Sequence, residues 1–166
     1  PKDLVGIPWR FALAMQDDCW WLRQDIIWHK PNPMPESVTD RCTKSHEYIF
    51  LMTKSERYFF DADAIKEPAL TDNRAREKNN GESAVDTKLR GFGSHCGTVD
   101  GARNKRSVWT IATAPFSEAH FATFPPALPE LCIKAGCPVG GTVLDPFSGA
   151  GTTALVADRL QRNAIG

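Results

Sequence analysis

The stretch VLDPFSGAGTT, Val143–Thr153, decides how this chain is read. Val143 and Leu144 belong to the short strand-like run "GTVLD", and Asp145 stands at its tip. Gly149 and Gly151 follow, and then "TTALVADRLQ", whose composition suits a helix. The predicted unit is strand, acidic tip, glycine turn, helix. Such a turn brings backbone N–H groups close to a charged ligand, because glycine has no Cβ in the way and the first turn of a helix carries unpaired donors. In most nucleotide-binding folds this loop opens the domain. Here it lies close to the end of the chain.

Residue types narrow the ligand. The ATPase loop GxxxxGK[ST] requires a lysine that is absent after Gly151. The dinucleotide fingerprint GxGxxG is matched at Gly149 and Gly151, with Ala154 in the third place. A plain strand-to-helix turn, with glycines for geometry alone, is the structural alternative. The flanking residues are more specific. A carboxylate at the position of Asp145 is awkward for a pyrophosphate and suits an ammonium. Thr152 and Thr153 open the helix, whose free N–H groups suit a carboxylate. An ammonium beside a carboxylate is an amino acid, and the amino-acid end of S-adenosylmethionine fits.

Outward from the loop, "NAIG" at the end reads as the start of a strand. "FPPALPELCIKAG" reads as a helix entered through prolines and stopped at Gly136, and "SVWTIA" as a short strand. Strands alternating with helices predict a parallel α/β sheet in this part. Nearer the start, Leu4, Ile7, Phe11 and Met15 fall on one helical stripe, with Asp3 as N-cap. "WWLRQDIIWH" reads as a buried strand, proline-rich "KPNPMPES" as loop, "HEYIFLMTK" as a second strand and "SERYFFD" as its hairpin partner. From Glu67 onward, to about Lys105, the chain is polar, glycine-rich and nearly free of aromatics, and a loop that long in a compact domain is functional or disordered.

With 166 residues, 42% hydrophobic and 24% charged, the chain fits one soluble domain with a sizeable core. No apolar run approaches the roughly 20 residues that span a bilayer, and "PKDLVGIPWR" is no signal peptide. Cys19, Cys42, Cys96, Cys132 and Cys137 form no CxxC pair and read as free thiols in a reducing cytoplasm, with no metal site. Net charge is zero, but Asn73–Arg106 holds eight basic and four acidic residues, an excess of +4 balanced by −4 elsewhere. The sharpest basic cluster is "ARNKR", Ala102–Arg106, where Arg103, Asn104, Lys105 and Arg106 can reach phosphates and base edges. The bland reading is a solvated charged loop.

Taken together, these motifs resemble the amino-methylating DNA methyltransferases, which act on cytosine N4 or adenine N6, and in particular the permuted group whose cofactor loop lies C-terminal to the catalytic motif. "DPFSGAGTT" is similar to the family's cofactor motif, and "HFATFPPALPELCIKAG" to the segment before it that helps wrap the cofactor. "LRQDIIWHKPNPMPESVTDR" and "SHEYIFLMTKSERYFFDADAIKEP" resemble strands and loops beyond the catalytic motif. The resemblance covers nearly the whole chain and explains the late position of the loop: in this group the catalytic half comes first.

The resemblance implies an α/β fold, the Rossmann-like and mostly parallel sheet of S-adenosylmethionine-dependent methyltransferases, incomplete in this chain. It divides the chain into part of a catalytic half (1–66: helix, strands, hairpin), a variable target-recognition and DNA-contact region (67–106) and a cofactor-binding segment (107–166). It implies S-adenosylmethionine held by Asp145, Phe147, Gly149, Gly151, Thr152 and Thr153, with His120, Phe121, Phe124 and Pro125 alongside. Core packing is the alternative for Phe121 and Phe124, and a structural role for His120. Double-stranded DNA is the expected partner, met by Arg103, Asn104, Lys105 and Arg106, with Lys30 and Asn32 of the proline-rich loop near the target base. Trp20, Trp21 and Trp28 are either base-stacking or core residues. Cytosine N4 is favoured over adenine N6 on overall resemblance, in a bacterial or phage restriction-modification setting. The family's catalytic motif [DNS]PP[YFW] is absent: "FPPA" and "NPMP" both fail it. The chain is therefore expected to be an internal piece, inactive alone. The rival readings are a non-catalytic DNA-binding remnant and a methyltransferase acting on RNA or a small molecule.

Overall fold

The computed structural model describes residues 2–68, 102–114 and 124–166. Helix α1 (Ile7–Asp17) is followed by β1 (Trp21–His29) and β2 (His46–Thr53). A 3-10 turn (Asp63–Ile65) leads into the two-residue strand β3 (Glu67–Pro68). Then come β4 (Ala102–Arg103), β5 (Val108–Thr110), α2 (Ala127–Gly136), β6 (Thr142–Leu144), α3 (Thr152–Arg159) and β7 (Asn163–Ile165). These strands form three sheets: β2-β1-β5, β3-β4 and β6-β7. The β1–β5 and β6–β7 pairs are parallel, as the alternation of strands and helices predicts, whereas β1–β2 and β3–β4 are antiparallel.

Side-chain alternation explains the first sheet. Ile26 and Trp28 sit two apart on β1, on one face, and both are buried. Trp28 lies opposite Trp109 of β5, which is also buried. Each indole N–H finds a backbone carbonyl: Trp28 donates to Ile111 (2.8 Å) and Trp109 to Arg106 (2.9 Å). Trp28 is thus a core residue, while Trp21 at the other end of β1 is 48% exposed. On β2, Tyr48 and Phe50 stack on one face, and Trp9 of α1 packs edge-on against both, at 5.4 and 5.3 Å between ring centroids.

Three expectations near the start need correction. Asp3 does not cap α1. The cap is Gly6 in the left-handed conformation (φ 70°), and the helix begins at Ile7 with Pro8 in its first turn, where no N–H partner is missed. The predicted stripe is not the packed face either. Ala12 is buried, whereas Leu4, Ile7 and Phe11 are exposed, because Trp9 turns its own side of the helix to Tyr48 and Phe50. Third, "SERYFFD" is no hairpin strand. Thr53 and Ser55 hydroxyls bond backbone carbonyls within the turn that follows β2. Tyr58 is then taken by Arg23, at the bulge between Leu22 and Gln24, and Asp61 N–H donates to the Ala135 carbonyl at the end of α2.

The C-terminal part has its own small core of Ile133, Val156 and Ala157, with Cys137, Val143 and Leu160 around it. Arg162 ties it together: its guanidinium donates to the Cys137 carbonyl through Nε (3.2 Å) and Nη2 (3.0 Å), and to the Leu160 carbonyl. Among the described residues β6 pairs only with β7, and Leu144 and Ile165 stay more than half exposed. No helix among the described residues is long and apolar enough to cross a membrane, and no group there of three or more His, Cys, Asp or Glu residues could hold a metal ion.

Candidate functional site

Strand β6 ends at Leu144, and the Asp145 N–H extends its ladder by donating to the Ile165 carbonyl (2.8 Å). The Asp145 side chain is held at both oxygens. Phe147 N–H donates to Oδ1 (3.1 Å) and the Thr153 hydroxyl to Oδ2 (2.6 Å), so the carboxylate is aimed while each oxygen keeps room for another donor. Gly149 and Gly151 take φ values of 49° and 76°, which only glycine adopts without strain. A Cβ on Gly151 would meet nothing within 4 Å, so there the dihedral rather than crowding demands glycine. Gly151 is also the N-cap of α3, with no side-chain cap and no acidic residue in the first turn. Among the described residues, the positive end of the helix is therefore open beside Asp145.

Asp145 and Thr153 stand at the edge of a cleft of 280 Å³ whose wall includes Phe124, Leu128, Cys132 and Leu144. The wall is apolar apart from the carboxylate and the threonine, which suits a ligand with a hydrophobic body and one cationic group. Burial pushes the Cys132 thiol up to about 11, so it lines the cleft as a neutral apolar group rather than as a nucleophile. Of the residues expected at a cofactor, Asp145, Thr153 and Phe124 meet here. Pro125 is buried at the approach to α2 and does not line the cleft, and Thr152 is half-buried on the first turn of α3. Phe147 is 91% exposed, so it has no core-packing role among the described residues. His120 and Phe121 lie outside the described residues.

The residues expected at DNA are tied into the fold. Lys30 pairs with Glu47 and lies over the Trp28 ring, 4.5 Å from its centroid. Asn32 spends its amide on Thr113, accepting from its N–H (3.0 Å) and donating to its carbonyl (3.4 Å). Lys30 also lines a larger depression of 440 Å³ with Lys44, His46 and Tyr48, on the face of the proline-rich loop rather than at Asp145. Arg103 and Arg106 both donate through Nε to Oε1 of Glu67, at 2.9 and 2.7 Å. Lys105 lies over Trp109, 5.7 Å from its centroid, and Asn104 is exposed. Burial pushes the Glu67 carboxyl up, but the hydrogen bonds and charges of Arg106 and Arg103 outweigh it, and the net shift is downward. Any stability this pairing adds is present above the ordinary carboxylate pKa and fades only as the pH falls through the lowered value.

A sequence profile described as DNA methylase, for the N6/N4 methyltransferases, matches residues 3–166. The Type II methyltransferase M.SmaI of Serratia marcescens is 47% identical over 166 residues, which is 100% of this chain and 48% of that protein. M.Cfr9I of Citrobacter freundii is 46% identical over the same span, 46% of its own length. The chain thus spans about half the length of these relatives. Among solved structures, the cytosine-N4-specific PvuII DNA methyltransferase superposes with a TM-score of 0.67 at 20% identity, covering 95% of this chain and 50% of that one. The M1.HpyAVI–SAM complex superposes with a TM-score of 0.63 at 23% identity, covering 99% and 64%. Both share this fold.

Proposed function

This chain belongs to the N6/N4 DNA methylase family, and from that premise we propose that it is part of a longer DNA methyltransferase, the part that grips S-adenosylmethionine and contacts double-stranded DNA. The methyl acceptor is an exocyclic base amine, cytosine N4 favoured over adenine N6. The observation that carries the reading is the aimed Asp145 carboxylate, at the rim of an apolar cleft and beside the open start of α3. That pairing of charges complements the ammonium and carboxylate of an amino acid. Relatives of about twice this length support reading the chain as a part.

When bound, S-adenosylmethionine supplies a methyl group already activated on a sulfonium. Asp145 would hold its ammonium, the first N–H groups of α3 its carboxylate, and the glycine turn would give the backbone room to close on it. Phe124 and the apolar wall beside it exclude water. The target amine is paired inside a duplex, so the base must be turned out before it can react. Acceptors for the amine protons belong to the [DNS]PP[YFW] motif, which this chain does not contain.

Phe147→Ala is expected to leave unfolding free energy within about 0.5 kcal/mol, as an exposed substitution should, while weakening S-adenosylmethionine binding. Unchanged cofactor affinity would remove Phe147 from the site. For the reaction, the intact protein is given tritiated S-adenosylmethionine and unmodified genomic DNA, and the digested nucleosides are separated. N4-methylcytosine is the expected product. N6-methyladenine corrects the base, and label only in RNA overturns the DNA reading. Replacing both Arg103 and Arg106 with Ala should lower DNA affinity about 10-fold or more and reduce the slope of log K against log salt by about 2, with S-adenosylmethionine affinity unchanged.

A further inference from the structure

Glu67 and its two arginines lie on either side of residues 69–101, and the cross-strand pair Glu67↔Arg103 joins the two sides through backbone as well as side chain. One carboxylate oxygen takes the Nε–H of both guanidiniums. Neither arginine has a partner for its terminal amino groups among the described residues. Exposure rises outward, from 17% at Glu67 to 28% at Arg103 and 63% at Arg106. Arg106 is held at a second point, since its carbonyl accepts the indole N–H of buried Trp109. Its backbone and its Nε are both fixed, while the end of the side chain that suits a phosphate has no partner among the described residues.

We infer that Glu67 is a positioning residue for DNA binding, which fixes Arg103 and Arg106 so that their terminal amino groups are presented to the phosphate backbone. This rests on the DNA-contact reading of the two arginines. The physical argument gives a sign that charge alone does not. Glu67 is an anion beside a proposed polyanion site, so on electrostatics its removal would tighten DNA binding. As an organiser it spares two long side chains the entropy of ordering when DNA arrives, so its removal weakens binding.

The test uses the intact protein and three variants: Glu67→Gln, the Arg103→Ala/Arg106→Ala pair, and all three changes together. KM for unmodified genomic DNA, kcat, the Kd for S-adenosylmethionine and the melting temperature are measured for each. Glu67→Gln is expected to raise KM for DNA about 10-fold, with kcat and cofactor Kd within about twofold of the parent. Added to the arginine pair it should raise KM no further, because its positioning acts only through them. If the arginine pair raises KM but Glu67→Gln leaves it unchanged or lowers it, the positioning role is wrong and the DNA contacts stand. A further loss in the triple variant, or a fall in melting temperature together with cofactor affinity, makes Glu67 a fold residue and overturns the inference. If the arginine pair itself has no effect, the DNA-contact reading falls first and takes this role with it.

Discussion

Asp145→Ala is expected to weaken S-adenosylmethionine binding by about 100-fold or more. A hydrogen bond to a charged group contributes about 1.5–3 kcal/mol, which is roughly 10- to 150-fold in affinity. The alanine variant loses more than that bond, since the Thr153 hydroxyl and the Phe147 N–H lose their acceptor and the turn loses its anchor. Asp145→Asn separates the parts. It keeps an acceptor for Thr153 and removes the charge, and about 10- to 100-fold is expected from it. Thr153→Val removes the donor that aims Oδ2 and should fall below either. Titration calorimetry with S-adenosylmethionine and with S-adenosylhomocysteine adds a control. Both compounds carry the same amino-acid end, so Asp145 variants should lose affinity for both by a similar factor. A loss confined to the sulfonium compound would mean that Asp145 reads the sulfur rather than the ammonium, and an unchanged Kd for both would remove it from the site.

How much of this was legible in the sequence differs residue by residue, for physical reasons. β1, β2, α2, β6 and α3 carry strong local signals: aromatic and β-branched runs, prolines before a helix, glycines around it. The start of α1 was legible but misread. Pro8 belongs in a first helical turn, which puts the cap near Gly6, and Asp3 merely has the right chemistry for a cap. The packed face of α1 was not legible. It follows from Trp9 meeting Tyr48 and Phe50, and helical spacing ranks stripes without knowing what lies across from them. "SERYFFD" has strand composition, yet a turn after β2 and the Arg23–Tyr58 contact send it elsewhere. At the candidate site, the motif singles out Asp145 and Thr153 but does not show the bond between them. Glu67 was missed altogether. Its partners are 36 and 39 positions away, and no local pattern pairs charges over that distance.

Trp28→Ala is the second large effect, and it falls on stability. Trp28 is 3% exposed, lies opposite Trp109 across the β1–β5 ladder and donates to the Ile111 carbonyl. Truncating a buried tryptophan to alanine costs about 3–5 kcal/mol, against a total of roughly 5–15 kcal/mol for a typical domain. The buried apolar core among the described residues is small, so little can close over the cavity. The midpoint of urea unfolding should therefore fall steeply. Trp28→Phe keeps most of the apolar burial and leaves the Ile111 carbonyl without its donor, for about 1–3 kcal/mol. Trp21→Ala, at a half-exposed position on the same strand, should cost less than either. The base-stacking alternative makes the opposite prediction for Trp28→Ala: an unchanged midpoint with lost DNA affinity. Because the Lys30 ammonium sits over the Trp28 ring and pairs with Glu47, the alanine variant also releases that lysine from one of its two restraints. A change in DNA affinity therefore counts for stacking only if the midpoint holds, and a fallen midpoint places Trp28 in the core, where it keeps β5 and the Ile111 carbonyl in register with β1.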